Sequence, residues 1–138
     1  MDEQEPSRRL SAVLIADIAG YTKLVEQDTE GTVSELKSAR AKVINPTISR
    51  LNGRIIKHTG DGFLAEFQSV QDAVDCAIEM QTGLRTSSLK FRMAVNLGDV
   101  IDDGEDIYGE GVNIAARLEA LAEPGGISIS GGVFDQVR

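Results

Sequence analysis

Tryptophan is absent from this chain, and its 138 residues hold one cysteine, one histidine and three prolines. With Cys76 alone, no disulfide can form within the chain, which suits a reducing compartment. No stretch approaches the roughly 18 apolar residues of a membrane span. Met1 to Pro6 is polar and acidic, unlike a secretory leader. Positive charge is also scarce: 14 Lys and Arg stand against 22 Asp and Glu, a formal net charge of -8. That balance argues against nucleic acid or an anionic membrane surface as a partner. It does not argue against a nucleotide, because a metal site brings its own positive charge. The expectation is a cytosolic location without direct membrane contact, for the chain itself or as the cytosolic domain of a larger protein.

Apolar residues make up 41% of the chain and charged residues 26%, the composition of one soluble globular domain able to bury a core. Residues 1–9 read as a flexible, charged lead-in. Leu10 to Ile18 is an apolar run that predicts a buried strand, ending in a glycine turn at Gly20. A helical region follows from about Tyr21 to Leu51, with a break at Thr29–Gly31 and a kink or restart at Pro46. Arg54–Lys57 and Phe63–Phe67 read as a hairpin around His58-Thr59-Gly60-Asp61-Gly62. Ser69 with Asp72 resembles a capping box that opens a helix to about Leu84, with Val70, Ala73, Val74, Ala77, Ile78 and Leu84 as its apolar face. Cys76 and Met80 fall on the same helix as packing residues. Phe91–Val100 alternates as a strand, 102–106 is a polar loop, and Glu110–Ala122 a helix. Ile127–Ser130 is a last short strand before a possible helix start at Val133. Strands and hairpins mixed with helices predict an α+β fold, a mostly antiparallel sheet with helices packed on it.

Two aspartates stand out as candidate metal ligands. Asp17 is delivered by a buried strand into a glycine turn that opens a helix, and free N–H groups at a helix start attract phosphate. Asp61 lies between two glycines in the hairpin loop. Adjacent strands lie about 4.8 Å apart, so pairing of these two strands lets both carboxylates hold the same hard cations. Taken singly, Asp17 reads more readily as a helix cap and Asp61 as a turn residue; their shared setting at glycine-rich strand ends is the stronger signal.

Four segments resemble the class III adenylate and guanylate cyclase catalytic domain, in that family's order. They are Asp17-Ile18-Ala19-Gly20-Tyr21-Thr22, the hairpin from Gly53 to Gly62, Arg92 to Val100, and Asp106 to Leu118 with its Val112-Asn113 and Ala116-Arg117-Leu118. The resemblance covers about residues 8–138. It implies a ferredoxin-like βαββαβ core and an ATP-using enzyme that forms 3′,5′-cyclic AMP and pyrophosphate.

By position, the resemblance makes Asp17, Asp61 and the Ile18 carbonyl ligands of two divalent ions, Mg²⁺ or Mn²⁺. It makes the Gly20, Tyr21 and Thr22 backbone the turn around the β- and γ-phosphates. Lys57 and Asp106 would select the base, and Asn113 and Arg117 would support the transition state. A lysine donor and an aspartate acceptor complement adenine's N1 and amino group, whereas guanylate cyclases of the family use Glu and Cys there. The family's site lies at a homodimer interface: Asp17 and Asp61 from one chain, the other four residues from its partner. The family's domain normally runs about 40 residues further, with a triphosphate-contacting lysine, so a missing tail would expose a sheet edge. A non-catalytic nucleotide-binding or dimerisation module is the alternative reading.

Overall fold

The computed structural model describes residues 5–137, so the outermost lead-in residues lie outside the described part. The chain runs β1 (Ser7–Ile18), α1 (Tyr21–Gln27), α2 (Thr29–Ala39), a π-helical turn (Arg40–Ile44) and α3 (Asn45–Arg50). It continues as β2 (Arg54–His58), β3 (Gly62–Phe67), α4 (Val70–Gly83) and β4 (Phe91–Asp102). It closes with β5 (Ile107–Tyr108), α5 (Glu110–Ala120), β6 (Ile127–Ile129) and α6 (Gly131–Gln136). The sheet order β2-β3-β1-β4-β5 contains the ferredoxin-like arrangement of βαββαβ, with every pairing along it antiparallel. Only β6, parallel to β4 through Met93–Val95, departs from that.

β1 occupies the middle of the sheet and is buried on both faces, which explains its continuous apolar run. Its even-numbered residues, Ala12, Leu14, Ala16 and Ile18, join Phe63, Phe67, Phe91 and Met93 under the helices α2 to α4. Its odd-numbered residue Val13 joins Leu64, Val100, Ile107 and Ala115 of α5 on the opposite face. Ser69 caps α4 by accepting the Asp72 N–H at 3.1 Å, and Cys76 and Met80 are fully buried packing residues.

Three details depart from the sequence reading. β1 begins at Ser7, three residues early, because Arg9 finds partners across the sheet in Glu66 and Asp102 at 2.7 and 2.9 Å. Ile78 is 51% exposed: the buried stripe of α4 runs through Val70, Ala73, Val74, Ala77 and Met80, and Ile78 falls beside it. β4 runs on to Asp102, and the polar loop leads into the two-residue β5, too short to leave a periodic signal.

Candidate functional site

Asp17 is the penultimate residue of β1, paired with Gly62 of β3 on one side and Arg92 of β4 on the other. The Ile18 N–H donates to the Asp61 carbonyl at 2.9 Å, which ties the hairpin loop to the end of β1. Only glycine fits at 62: a Cβ there would lie 1.9 Å from the Ala16 oxygen and 2.9 Å from the Asp17 Cα. This close approach puts the two candidate carboxylates at neighbouring strand ends, both half-buried. Ile18 itself is buried, and its neighbour Ala19 donates to the Lys90 carbonyl at 2.8 Å. Gly20 then turns the chain with a left-handed φ of 67°, and Tyr21 and Thr22 form the first turn of α1, which carries no acidic side chain.

Two further charged residues meet this corner. Glu119 of α5 is 8% exposed, and its carboxyl contacts that of Asp17. Burial first, then the Asp17 contact and the charge of Asp61, hold the Glu119 carboxyl well above the usual carboxylate range, and Arg92 partly opposes them. Arg92 also donates from Nε to the Ala122 carbonyl at 3.0 Å, joining β4 to the end of α5. Glu119 was missed from sequence, and Arg92 was quoted only as part of a motif. The signal for Glu119 is its place on the buried stripe of α5, four residues after Ala115 and three before Ala122.

Lys57 and Asp106 are brought together from opposite parts of the chain, with Nζ 2.9 Å from Oδ2. The aspartate is held from behind. Its other oxygen accepts the Ile107 N–H at 2.7 Å, and its own N–H donates to Asp103 Oδ1 at 2.9 Å. Lysine and aspartate side chains remain 48% and 37% exposed, so this pair is open to a ligand.

Asn113 and Arg117 sit four apart on the exposed face of α5. Their placement is fixed by how closely α5 starts against β4. A Cβ at Gly98 would come within 2.9 Å of the Gly111 Cα, and one at Gly111 within 2.7 Å of the Asp99 oxygen. The buried Asn96 amide donates to the Gly111 carbonyl at 2.9 Å, pinning the helix start. His58 ends β2; burial first, then the charge of Arg40, lower its pKa.

Among the described residues, no group of three or more His, Cys, Asp or Glu side chains is arranged to hold a metal ion. Asp17 and Asp61 instead offer two hard oxygen donors beside a third buried carboxyl, with Arg92 as opposing charge. Mg²⁺ is commonly held by one or two carboxylates, with substrate phosphates and water completing its shell.

Comparison with known proteins places the fold in a family. The chain matches the family described as "Adenylate and Guanylate cyclase catalytic domain" over residues 4–138. It is 40% identical to a Rhizobium meliloti (strain 1021) protein named "Putative adenylate cyclase 3", covering 100% of this chain and 25% of that protein. It is 35% identical to an adenylate cyclase of Glutamicibacter nicotianae, over 83% of this chain and 29% of the relative. The chain thus spans between a quarter and a third of the length of these curated relatives. A solved structure from Silicibacter pomeroyi, described as an adenylate/guanylate cyclase/hydrolase, superposes with a TM-score of 0.87 at 40% identity, over 95% of this chain and 81% of that one. No helix among the described residues is long and apolar enough to cross a membrane. With its ferredoxin-like sheet, its paired strand-end aspartates and a family match that runs nearly end to end, the chain belongs to the class III adenylate and guanylate cyclase catalytic domains.

Proposed function

We propose that residues 10–138 act as an adenylate cyclase domain, forming 3′,5′-cyclic AMP and pyrophosphate from ATP at composite sites of a homodimer. The observation that carries the choice of ATP is the Lys57–Asp106 pair, a donor and an acceptor side by side at 2.9 Å. Adenine presents the complementary acceptor at N1 and donor at its amino group. The pair is half-exposed, and exposed ion pairs contribute roughly 0–1 kcal/mol, so parting it for a base costs little.

The remaining roles follow from position. The N–H groups of the Gly20–Thr22 turn face the β- and γ-phosphates at a helix start. Asp17, Asp61 and the Ile18 carbonyl hold two divalent ions, Mg²⁺ or Mn²⁺. When bound, such ions lower the pKa of the ribose 3′ hydroxyl and neutralise phosphate charge. Asn113 orients the ribose, and Arg117 offsets the negative charge that grows on the phosphates as the 3′ oxygen attacks the α-phosphorus. Arg92 and Glu119 brace Asp17 from β4 and α5. Lys57, Asp106, Asn113 and Arg117 serve the aspartates of the partner subunit, so a two-fold dimer of one chain contains two complete sites. No protein nucleophile enters.

The test is product analysis with Mn²⁺ and either ATP or GTP. Cyclic AMP should form from ATP, with little cyclic GMP from GTP, and Asp17→Asn and Asp61→Asn should each lower turnover at least about a hundredfold. Preferential cyclic GMP would reverse the base assignment. ATP binding without any cyclic product would identify a non-catalytic nucleotide-binding module.

A further inference from the structure

The helical segment on the side of the sheet away from α5 contains an irregularity with a bearing on Asp61. Its buried residues fall at Thr32, Leu36 and Ala39, then at Ile44, Thr47 and Ile48. Steps of three or four are those of an α-helix; the step of five between Ala39 and Ile44 marks one extra residue. The backbone shows the same insertion, since the Asn45 N–H donates to the Arg40 carbonyl five residues back. Pro46 follows immediately, within the first turn of α3, and has no N–H to continue an α-helical ladder. The wide turn lets α2 and α3 both keep their apolar faces on the core despite the proline. Turns of this kind are frequent at functional sites.

Arg40 is the first residue of that turn. Its guanidinium leaves the helix and donates from Nη2 to the Thr59 carbonyl at 2.8 Å, across 19 residues of sequence. Thr59 opens the three-residue loop between β2 and β3, and Asp61 closes it. The Thr59 N–H donates to the Gly62 carbonyl at 2.9 Å, and the Asp61 carbonyl accepts from Ile18. Between these fixed points stands Gly60, around which a Cβ would find nothing within 4 Å. The exit of the loop is therefore locked to β1, while its entry is exposed and beside a glycine. Arg40 supplies a side-chain tie at that entry, and a charged donor makes it stronger than a neutral one.

We infer that Arg40 is a positioning residue for Asp61: its hold on the Thr59 carbonyl keeps the hairpin loop in the shape that sets the Asp61 carboxylate beside Asp17. The inference rests on the reading of Asp61 as a metal ligand. Residues that orient a ligand without touching the ion are typically worth about ten- to a hundredfold in metal affinity.

The experiment compares wild type with Arg40→Met, which keeps length and apolar stem but removes the donors, and with Arg40→Lys and Asp61→Asn. Three quantities are read: hydrogen exchange at the Thr59 amide, Mn²⁺ binding by electron paramagnetic resonance in the presence of a non-reactive ATP analogue, and the melting temperature. Arg40→Met should speed exchange at Thr59 about tenfold and weaken Mn²⁺ about tenfold, with Arg40→Lys in between and melting nearly unchanged. Unchanged exchange at Thr59 would overturn the tie itself. Faster exchange with wild-type Mn²⁺ affinity would overturn its consequence for Asp61. A large loss of melting temperature in Arg40→Met would reassign Arg40 to folding alone. Asp61→Asn reports separately: if it binds Mn²⁺ as wild type does, the metal-ligand reading of Asp61 fails whatever Arg40 does.

Discussion

Replacing Gly62 by alanine should separate the two aspartates while leaving both carboxylate side chains in the chain. The added Cβ would lie 1.9 Å from the Ala16 carbonyl oxygen, against an ordinary contact of 3.4 Å or more, so β1 and β3 must part by roughly 1.5 Å. The obstructing atoms belong to backbone in the central strand, and no side-chain rotation relieves them. Overpacking of this kind costs about 1–3 kcal/mol. Losing the Ile18–Asp61 hydrogen bond adds about 1 kcal/mol, for a total of about 3 kcal/mol. For a chain of this size that is a fall in melting temperature of about 10 °C. Gly60, on the other side of Asp61, is the internal control: its Cβ direction is empty, so Gly60→Ala should stay within about 0.5 kcal/mol of wild type. Calorimetry on the two variants decides. A Gly62→Ala protein melting with wild type, or a Gly60→Ala protein falling as far, would refute the claim that strand contact at Gly62 sets the spacing of the site.

Exchanging the base-facing pair, Lys57→Glu with Asp106→Cys, should shift the ratio of cyclic AMP to cyclic GMP formation toward GTP by at least about a hundredfold, because donor and acceptor change places; a ratio that stays put would free these residues of base selection. Glu66 supplies a pH dependence. Burial pushes its carboxyl up, but hydrogen bonds from Ser11, Arg9 and Arg54 outweigh burial, and the net shift is downward from 4.5. A depressed carboxylate stabilises the fold fully above its unfolded pKa, and that contribution fades as pH falls through the folded value. Glu66→Gln should therefore cost about 2 kcal/mol at pH 7 in urea unfolding, with the gap closing as the pH falls below 4.5 and through the lowered folded value; a gap independent of pH would exclude the ion network as its source.

The legibility of this chain follows from how local each signal is. Asp17, Asp61 and the pairing of their strands could be anticipated because apolar runs, glycines and a hairpin lie within a few residues of each other. The Ser69 cap was readable for the same reason. Lys57 and Asp106 are 49 residues apart, and no local pattern joins them; only the family resemblance coupled them before the fold did. Glu119 was hidden because a charged residue in a helix normally reads as a solvated face, yet it falls on the buried stripe. The tie from Arg40 was hidden behind the π turn, whose five-residue step disguises the helical period. The start of β1 was misjudged because Arg9 looked like lead-in charge, while its partners Glu66 and Asp102 are remote in sequence.

The central claim is a cyclase whose active sites are shared between two copies of this chain. Mixing an Asp17→Ala chain with an Arg117→Ala chain tests it most directly, with cyclic AMP formed from ATP and Mn²⁺ as the readout. Each variant alone should be nearly inactive. Random pairing makes about half of the dimers mixed, each with one intact site, so the mixture should recover about a quarter of wild-type activity. A mixture as inactive as its two components, from chains that still exchange partners, would contradict shared sites.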